Sequence, residues 1–528
     1  MSVNPQRRFF SVIFFLILVS AILAAAGCTG AEGASSAQSS FESGLLAITN
    51  VPRYAHASWG IVIADPGSGT TLYERNAGEM YVPASTTKLF SSAAILEAFG
   101  PDHRFVTPVY ATTAHGSGTA DADLILVASG DPTMGGRTLP GDTIEYTNSD
   151  HGDANALGGA VLTATDPLSG LNDLARQVKE SGMTKVSDVV IDDRLFETTD
   201  LGKAYILSPI IVNDNLVDII ITPHASGTAA SLAMRPETAA YRLAGNVTTG
   251  SAGTPLSIGI KEDPDGTILV VGTIAADAGS VNQTYTVKTP AAFARTLFIE
   301  ALTRQGVDVA APATGDNPVN KIPKSPTYDG ARKVAELVSP PLSEDVKLTL
   351  KVSQNLHADT YVLLLASANG RTGFYDGMQQ EGRILEALGL DTGGISLGDG
   401  EGGVEEDRFS PQSATRLLTL MTRRPYAEKF IQAQPILGVD GSLASACAAG
   451  NPACGHVYAK TGTRGSYDAL NDRGILLGKS LAGYIDTKSG KRLAFAVYVN
   501  HVPFSDVQDM MAVGDDLGSI AGLIYTYY

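Results

Sequence analysis

Three short motifs of nucleophilic and basic residues stand out along the sequence. They are Ser85-x-x-Lys88, Ser353-Gln354-Asn355 and Lys460-Thr461-Gly462-Thr463, in that order. Residues i and i+3 of a helix share one face, so Lys88 can reach the Ser85 hydroxyl. A lysine that is neutral part of the time can take the proton of a serine and so activate it as a nucleophile. The chemistry that these residue types can perform together is acyl transfer through a serine ester.

The combination of motifs carries more weight than any one of them. A Ser-x-x-Lys by itself is more often a helix cap followed by a solvated lysine, but Ser85 and Lys88 form the only such pair in this sequence. Lys460-Thr461-Gly462 is likewise the only Lys-Thr-Gly. A second Ser-x-Asn, at Ser280-Val281-Asn282, has no helices predicted around it, so we attribute it to chance.

A helix is predicted to carry the serine. Pro83-Ala84-Ser85 leads into a stretch rich in Ala and Leu that Gly100-Pro101 ends. Ser85 therefore falls in the first turn of this helix. The backbone N–H groups of a first turn are suited to an oxyanion that develops beside the nucleophile.

Strand patterns at both ends of the chain enclose a helical block and a β-rich middle. A hairpin is predicted over residues 58–74, strands over Leu124–Ala128, Val186–Ile191, Val217–Thr222 and Thr267–Gly272, helices between about 336 and 425, and further strands over His456–Thr463, Leu481–Ile485 and Leu493–Asn500 before a closing helix. We therefore predict an α/β fold, with a catalytic domain of residues 51–92 and 335–528 that is interrupted by inserted β-rich accessory domains over residues 93–334.

The N-terminal residues are typical of an export signal. Arg7 and Arg8 precede an apolar run that ends at Ala25-Ala26-Gly27-Cys28. This tetrapeptide resembles a bacterial lipobox, so we predict a lipoprotein signal peptide over residues 1–27 with a lipid on Cys28. Plain cleavage and an uncleaved anchor remain as alternatives, and all three place the protein on the outer side of the membrane, in the cell envelope. Residues 28–50, rich in Ser, Gly and Ala, are predicted to form a flexible linker.

The sequence contains three cysteines. If Cys28 carries lipid, Cys447 and Cys454 can pair with each other in an oxidising compartment, and we predict this disulfide. A metal site is the competing interpretation, but two cysteines with scattered histidines and no HExxH motif make a poor ligand set. We therefore predict no metal.

Composition narrows the class of protein. The chain has 528 residues, 44% of them hydrophobic and 18% charged, which is enough for several cores of a folded globular protein. Its formal net charge of −17 argues against nucleic acid as the main partner, because that affinity depends largely on Lys and Arg.

In its three motifs the sequence resembles the class C low-molecular-mass penicillin-binding proteins, the D-alanyl-D-alanine carboxypeptidase/endopeptidase family. Serine β-lactamases share the motifs, but the roughly 264 residues between Lys88 and Ser353 are far more than a β-lactamase needs. The resemblance covers about residues 55 to 525. It implies a penicillin-binding transpeptidase/β-lactamase-like catalytic domain, cleavage of D-Ala-D-Ala in peptidoglycan stem peptides, covalent inhibition by β-lactam antibiotics, and no cofactor.

The resemblance also implies roles for the residues of the first two motifs. Ser85 would be the nucleophile and Lys88 the base in acylation. Ser353 would pass a proton to the leaving amine, and Asn355 would orient the substrate amide.

For the third motif, the resemblance implies that Lys460 holds the electrostatics of the proton network. Thr461 and Thr463, on either side of Gly462, would bind the terminal carboxylate of the substrate. The backbone N–H groups of Ser85 and Thr463 would form the oxyanion hole.

Two segments depart from the family pattern. An acidic loop at Asp399-Gly400-Glu401-Gly402-Gly403 replaces the common Asp-Gly-Ser-Gly-Leu-Ser, and the segment Arg464 to Lys479 is longer than usual. Both are expected to border the cleft, which leaves the substrate side-chain preference and the choice between carboxypeptidase and endopeptidase open. The alternatives are a β-lactamase or a serine esterase with the same Ser-Lys pair, and a non-catalytic peptidoglycan-binding protein of the envelope.

Overall fold

The computed structural model describes residues 28–112, 122–157, 159–324 and 327–528. The predicted signal peptide of residues 1–27 and the side chain of Cys28 lie outside this description. Among the helices of the described residues, none combines the length and the apolar character needed to cross a bilayer.

The described chain alternates between helices and short to medium strands. Its helices are α1 (Cys28–Thr49), α2 (Lys88–Phe99), α3 (Ala154–Leu157), α4 (Ser169–Glu180), α5 (Pro290–Arg304), α6 (Leu342–Lys351), α7 (Asn355–Ala368), α8 (Phe374–Leu388), α9 (Pro411–Met421), α10 (Ala427–Gln432) and α11 (Val507–Tyr527). Its first strands are β1 (Ser58–Asp65), β2 (Thr70–Arg75), β3 (Val106–Ala111), β4 (Leu124–Val127), β5 (Thr138–Leu139), β6 (Thr143–Ile144), β7 (Lys185–Val186), β8 (Val189–Asp192), β9 (Leu216–Thr222), β10 (Ser231–Arg235) and β11 (Arg242–Gly250). The remaining strands are β12 (Ser257–Glu262), β13 (Thr267–Ala275), β14 (Val281–Thr286), β15 (Asp308–Val309), β16 (Arg332–Val338), β17 (Ile395–Ser396), β18 (Arg408–Phe409), β19 (Val457–Asp468), β20 (Arg473–Asp486), β21 (Arg492–Asn500) and β22 (Val502–Phe504).

An antiparallel sheet built from both ends of the chain forms the centre of one body of the molecule. Its order is β19-β20-β21-β1-β2, with β22 pairing to β20. Side chains of β21 alternate between two hydrophobic cores, because successive residues of a strand point to opposite faces. Leu493, Phe495, Val497 and Val499 enter one core, and Ala494, Ala496 and Tyr498 enter the other.

Helices cover both faces of this sheet. On one face, α11 packs against β20 and is itself covered by α1. On the other face, α9 packs against β21 and β1, and α2, α6, α7 and α8 complete the core. The central strands are therefore buried on both sides, which explains their continuous apolar sequences.

The chain leaves this body after α2 and returns through β16. The returning strand β16 pairs with the departing strand β3, and β4 and β8 extend the same sheet. Two further sheets, β10-β9-β14 and β11-β13-β12, and the helices α4 and α5 share one hydrophobic core with it. The inserted part is therefore rich in strands, and it also contains two long helices that the sequence patterns did not reveal.

Two predicted boundaries differ from the structure. The predicted start of the insertion at residue 93 lies inside α2, whose residues remain in the hydrophobic core beside the central sheet to Phe99, and the insertion begins near β3. The predicted flexible linker over residues 28–50 is wrong, since α1 occupies residues 28–49. Phe41 and Leu45 are buried four residues apart against the α11 face, and this spacing stabilises a packed helix despite the small residues before it.

The segment after the third motif continues the sheet. The sequence predicted strands to Thr463 and from Leu481, with a long loop over residues 464–479 between them, whereas β19 extends to Asp468 and β20 begins at Arg473. Arg464 to Lys479 therefore forms a strand hairpin, and its register brings Thr463 opposite Lys479.

Cys447 and Cys454 form a disulfide in the structure, with their Cα atoms 6.0 Å apart. The bond closes a short loop next to Ser445 and Ala446, which line the cleft described below.

We expect Cys447 and Cys454 of exported protein to resist alkylation until a reductant is added, and to take up one alkyl group each afterwards. The loop closed by the bond is short, so its loss should lower the free energy of unfolding by about 2 kcal/mol. Peptide mass mapping before and after reduction measures the first effect, and thermal unfolding measures the second. Free thiols at both positions in exported material would contradict the pairing.

Candidate active site

Ser85 lies in a tight 3-10 turn, Ala84–Thr87, that continues directly into α2. Thr86 Oγ1 and Ser480 Oγ each donate a hydrogen bond of 2.8 Å to the carbonyl of Pro83, which fixes the turn to the sheet. Ala84 has a φ of 47°, a left-handed conformation that costs free energy for a residue with a side chain. The fold thus holds the serine in a strained turn, with its side chain facing a cleft.

Lys88 lies one helical turn beyond the serine and is fully buried. Its Nζ donates hydrogen bonds to Ser85 Oγ at 3.0 Å, to Asn355 Oδ1 at 2.7 Å and to the carbonyl of Glu401 at 3.0 Å. Burial lowers the pKa of Lys88, although the carboxylates of Glu401 and Asp399 oppose this. The amine is therefore placed and tuned to exchange a proton with the serine hydroxyl.

The second motif forms the junction between α6 and α7. Ser353 has a φ of 63°, and the side chain of Gln354 caps α7 by accepting the N–H of Leu356 at 3.1 Å. The strained turn and the cap together direct Ser353 and Asn355 into the cleft from the helical side.

Lys460 of the third motif reaches across the cleft to the second. Its Nζ donates to Ser353 Oγ at 2.9 Å and to the carbonyl of Thr461 at 2.9 Å. Burial and then the charge of Lys88 hold the pKa of Lys460 well below its usual value. Two serine-lysine pairs therefore face one cleft, and the charge of each lysine disfavours the charge of the other.

Gly462 allows β19 to pass close to the turn that carries Ser85. A Cβ atom at this position would lie 2.3 Å from the carbonyl of Pro83 and 3.2 Å from the backbone N of Ser85. Any side chain would push the strand away from Ser85. Thr461 and Thr463, on either side, line the cleft, and Thr461 Oγ1 lies 2.8 Å from Ser442 Oγ.

The acidic loop forms the floor behind Lys88. Asp399 accepts the backbone N–H groups of Glu401 at 3.1 Å and of Gly402 at 2.6 Å, which folds the loop tightly. Gly402 has a φ of 93°, and a Cβ there would lie 1.9 Å from the carbonyl of Ala84. The loop thus packs directly against the Ser85 turn, as expected for a segment that borders the cleft.

The inserted part contributes a cation to this loop. Lys203 Nζ lies 2.6 Å from Asp359 Oδ2, 2.7 Å from Asp399 Oδ2 and 2.8 Å from Glu401 Oε1. Burial raises the pKa of Asp359 to about 7, against the opposing charge of Lys203. These three carboxylates could hold a metal ion by their spacing, but the ammonium of Lys203 already lies among them.

A second buried ionic cluster joins the insertion to the second motif. Asp214 Oδ2 accepts hydrogen bonds from Gln354 Nε2 at 2.9 Å and Arg137 Nη2 at 2.7 Å, and lies 2.7 Å from His151 Nε2. Burial alone would raise the pKa of Asp214, but Arg137 and His151 hold it well below its usual value. The insertion therefore supports Gln354, between the two polar residues that enter the cleft.

The cleft between these elements has a volume of about 600 Å³. It is lined by the Ser85 turn, the α6–α7 junction, the acidic loop, the β19–β20 hairpin and α11. Its size is within the usual range for a small-molecule or short-peptide site. The structure brings all eight residues of the three motifs that were predicted to act in catalysis or substrate binding to this one region.

Sequence reasoning missed the roles in this site of Glu401, Lys203 and Lys479. The motif spacing carries no information about Lys203, which reaches the acidic loop only through the folding of the insertion. Lys479 lies opposite Thr463 through the register of a hairpin that was predicted to be a loop.

Replacing Lys203 with methionine is expected to move the acidic limb of the acylation pH profile upward by about one pH unit. Without the ammonium, the carboxylates raise the pKa of Lys88. A smaller fraction of Lys88 is then neutral at a given pH, so more alkaline conditions are needed. The rate of benzylpenicillin acylation measured from pH 5 to 10 tests this, with Lys203→Arg as the charge-conserving control. An unchanged limb in folded Lys203→Met would rule out the coupling.

A serine and lysine one helical turn apart, with a second serine-lysine pair across the cleft, define the class of Ser-Lys acyl-transfer hydrolases. The model of the D-Ala-D-Ala carboxypeptidase 3 (S13) family matches residues 43–519. A D-alanyl-D-alanine carboxypeptidase of Actinomadura sp. (strain R39) is 30% identical over 485 residues, which cover 88% of this chain and 82% of that protein. A penicillin-sensitive carboxypeptidase A of Dictyostelium discoideum is 25% identical over 489 residues, or 84% and 83% of the two chains.

Penicillin-binding protein 4 (dacB) of Haemophilus influenzae is similar in structure, with a TM-score of 0.66 at 19% identity over 91% of this chain and 99% of that one. That likeness concerns the fold, and it confirms the predicted fold class. The chain belongs to the D-Ala-D-Ala carboxypeptidase 3 (S13) family. It is a serine-type D-Ala-D-Ala carboxypeptidase, a hydrolase, as the motifs predicted.

Proposed function

We propose that the chain cleaves the terminal D-Ala-D-Ala bond of peptidoglycan stem peptides through an ester on Ser85, and that β-lactams acylate the same oxygen. The observation that carries this proposal is the 3.0 Å hydrogen bond between Lys88 Nζ and Ser85 Oγ, at the side of a cleft whose volume of about 600 Å³ is large enough for a short peptide.

Acylation begins with proton transfer. Neutral Lys88 Nζ takes the proton of Ser85 Oγ, and the oxygen attacks the carbonyl carbon of the scissile amide. The backbone N–H groups of Ser85 and Thr463 stabilise the negative charge that develops on the carbonyl oxygen. Gly462 supports this arrangement, because it lets the strand that carries Thr463 lie beside the nucleophile turn.

Collapse of the tetrahedral intermediate breaks the C–N bond. Ser353 Oγ donates a proton to the leaving nitrogen of D-alanine, and the proton that Lys88 took from Ser85 passes to Ser353 Oγ, which leaves Lys88 neutral again. Lys460 Nζ holds Ser353 in position at 2.9 Å. Asn355, which accepts from Lys88, aligns the substrate amide with the nucleophile. Water then attacks the ester carbonyl and neutral Lys88 takes its proton. The ester C–O bond breaks, Lys88 returns the proton to Ser85 Oγ, and the shortened peptide leaves with a new carboxylate.

We propose that the body around the central sheet is the catalytic domain and that the inserted part supports it through Lys203 and Asp214. Both residues contact the catalytic part beside the motifs. We further propose that the enzyme is exported and tethered in the cell envelope by a lipid on Cys28. Mass analysis of the N-terminal peptide from the native host tests the tether, and an unmodified Cys28 would contradict it.

The experiment that tests the site is peptide mapping of protein treated with benzylpenicillin, together with an assay of D-alanine release from diacetyl-L-Lys-D-Ala-D-Ala. We expect a penicilloyl group on the peptide that contains Ser85. We also expect D-alanine release to be blocked in proportion to this labelling. Rapid loss of the antibiotic without an adduct would instead indicate a β-lactamase. A label on any other serine would overturn the assignment of the nucleophile.

A further inference from the structure

Lys479 is a cation in the cleft to which the three motifs assign no role. It lies on β20 opposite Thr463 of β19, and its Nζ donates a 2.7 Å hydrogen bond to Thr463 Oγ1. Helix α11 packs along its aliphatic stem, since a Cβ at Gly514 would lie 3.4 Å from Lys479 Cε. The ammonium is thus held at the side of the cleft, on the strand next to the third motif.

Among the described residues, Lys479 forms no ion pair. Burial lowers its pKa to about 8, and the charge of Asp515 of α11 partly opposes this shift. The nearby cations Lys460 and Arg464 are engaged elsewhere, Lys460 with Ser353 and Arg464 with the carbonyl of Val404. A half-buried ammonium bonded to a neutral hydroxyl lacks a negative charge that would offset its desolvation.

We propose that Lys479 is a specificity-determining residue that binds the free carboxylate on the leaving-group side of the scissile bond. This inference rests on the proposed function, in which the N–H of Thr463 holds the carbonyl oxygen. The carboxylate of the leaving D-amino acid is two bonds from the scissile nitrogen, which places it beside Thr463 Oγ1 and therefore beside Lys479 Nζ. The substrate class is peptides that end in a D-amino acid with a free carboxylate, and a C-terminal amide should be a poor substrate.

The test compares diacetyl-L-Lys-D-Ala-D-Ala with its C-terminal amide in wild-type, Lys479→Met and Lys479→Arg proteins. A charge-assisted hydrogen bond in such a site predicts a preference of about 10- to 100-fold for the acid in kcat/KM of the wild type. Lys479→Met should reduce the preference to within about threefold, chiefly by raising KM for the acid, and Lys479→Arg should retain most of it. Lys491→Met is the matched control, since Lys491 is an exposed lysine at the far end of the same sheet.

The pH dependence separates a charge effect from a packing effect. In the wild type, the preference for the acid should decline as the pH rises above about 8, where Lys479 loses its proton. Lys479→Arg should keep the preference at high pH, because a guanidinium stays charged. If Lys479→Met does not fold, the test uses Lys479→Arg alone. If the preference of Lys479→Arg for the acid then declines at alkaline pH as much as that of the wild type, the proposal is overturned.

The failure of this inference is distinguishable from failure of the proposed function. Equal rates for acid and amide in an active wild type, or a full preference in folded Lys479→Met, would overturn the role of Lys479 and leave Ser85 in place. D-alanine release that persists in Ser85→Ala would overturn the proposed function itself. An uncharged phosphonofluoridate that labels Ser85 at wild-type rate in Lys479→Met would show that the nucleophile is intact.

Discussion

Replacing Ser85 with alanine is expected to abolish the penicilloyl adduct and to lower kcat for D-alanine release by about 10⁴-fold or more. The hydroxyl is the only part of the side chain that is removed, and the turn is held by Thr86, Ser480 and the carbonyl of Pro83 rather than by Ser85 itself. The variant should therefore fold normally while it lacks the oxygen that forms the ester. Intact-mass analysis after benzylpenicillin treatment and a D-alanine assay measure the two losses.

Ser92→Ala is a matched control for this variant. Ser92 is buried on α2, the same helix that follows the nucleophile, and its hydroxyl has no hydrogen-bond partner in the described structure. Loss of this hydroxyl should leave both acylation and D-alanine release within about twofold of wild type. A stable penicilloyl adduct in Ser85→Ala, at a rate near that of Ser92→Ala, would show that another residue is the nucleophile.

The parts of the site that are close in sequence could be predicted from the sequence. Ser85 and Lys88 are one helical turn apart, so their contact follows from local geometry alone. The approach of Lys460 to Ser353, across more than one hundred residues, could be expected only because the order of motifs resembles a known family. Neither the periodicity nor the capping signals of the sequence predict the 2.9 Å hydrogen bond between Lys460 Nζ and Ser353 Oγ.

The features that the sequence did not reveal depend on register and tertiary packing. Lys479 lies in the cleft because β20 begins at Arg473, eight residues before the apolar pattern that predicts it. The first part of this strand extends past the core, and its residues therefore show no alternation of apolar and polar side chains. The helix α1 was hidden for a similar reason. Small residues dominate its first half, and only Phe41 and Leu45 indicate the face that packs on α11.

The inserted part places charged residues beside the first and second motifs. Lys203 pairs with the three carboxylates whose charges raise the pKa of Lys88, and Asp214 accepts a hydrogen bond from Gln354, which lies between the two polar residues of the second motif. Each contact involves a buried carboxylate that would be costly to leave unpaired, so Lys203 helps to hold the acidic loop and Asp214 helps to hold Gln354. The inserted part therefore contacts residues that lie directly beside the cleft.

Replacing Lys88 with methionine is expected to slow acylation by benzylpenicillin by about 10³-fold or more, because the variant has no base within reach of Ser85 Oγ. Methionine keeps the length and the apolar character of the buried stem, so the helix and the core around it should remain. The acidic limb that Lys88 imposes on the pH profile should also disappear, since no group titrates at that position. Stopped-flow or quenched-flow acylation from pH 5 to 10 measures both effects.

Lys347→Met is the control for loss of a lysine, because Lys347 lies on α6 and pairs with Glu344 at 2.6 Å, away from the three motifs. The Lys347→Met protein should be acylated by benzylpenicillin at the wild-type rate and with the wild-type pH profile. Near-normal acylation of a folded Lys88→Met protein would remove Lys88 as the base. The remaining lysine of the cleft motifs, Lys460, whose pKa is also lowered by burial, would then be the group to which the Ser85 proton passes, by way of Ser353.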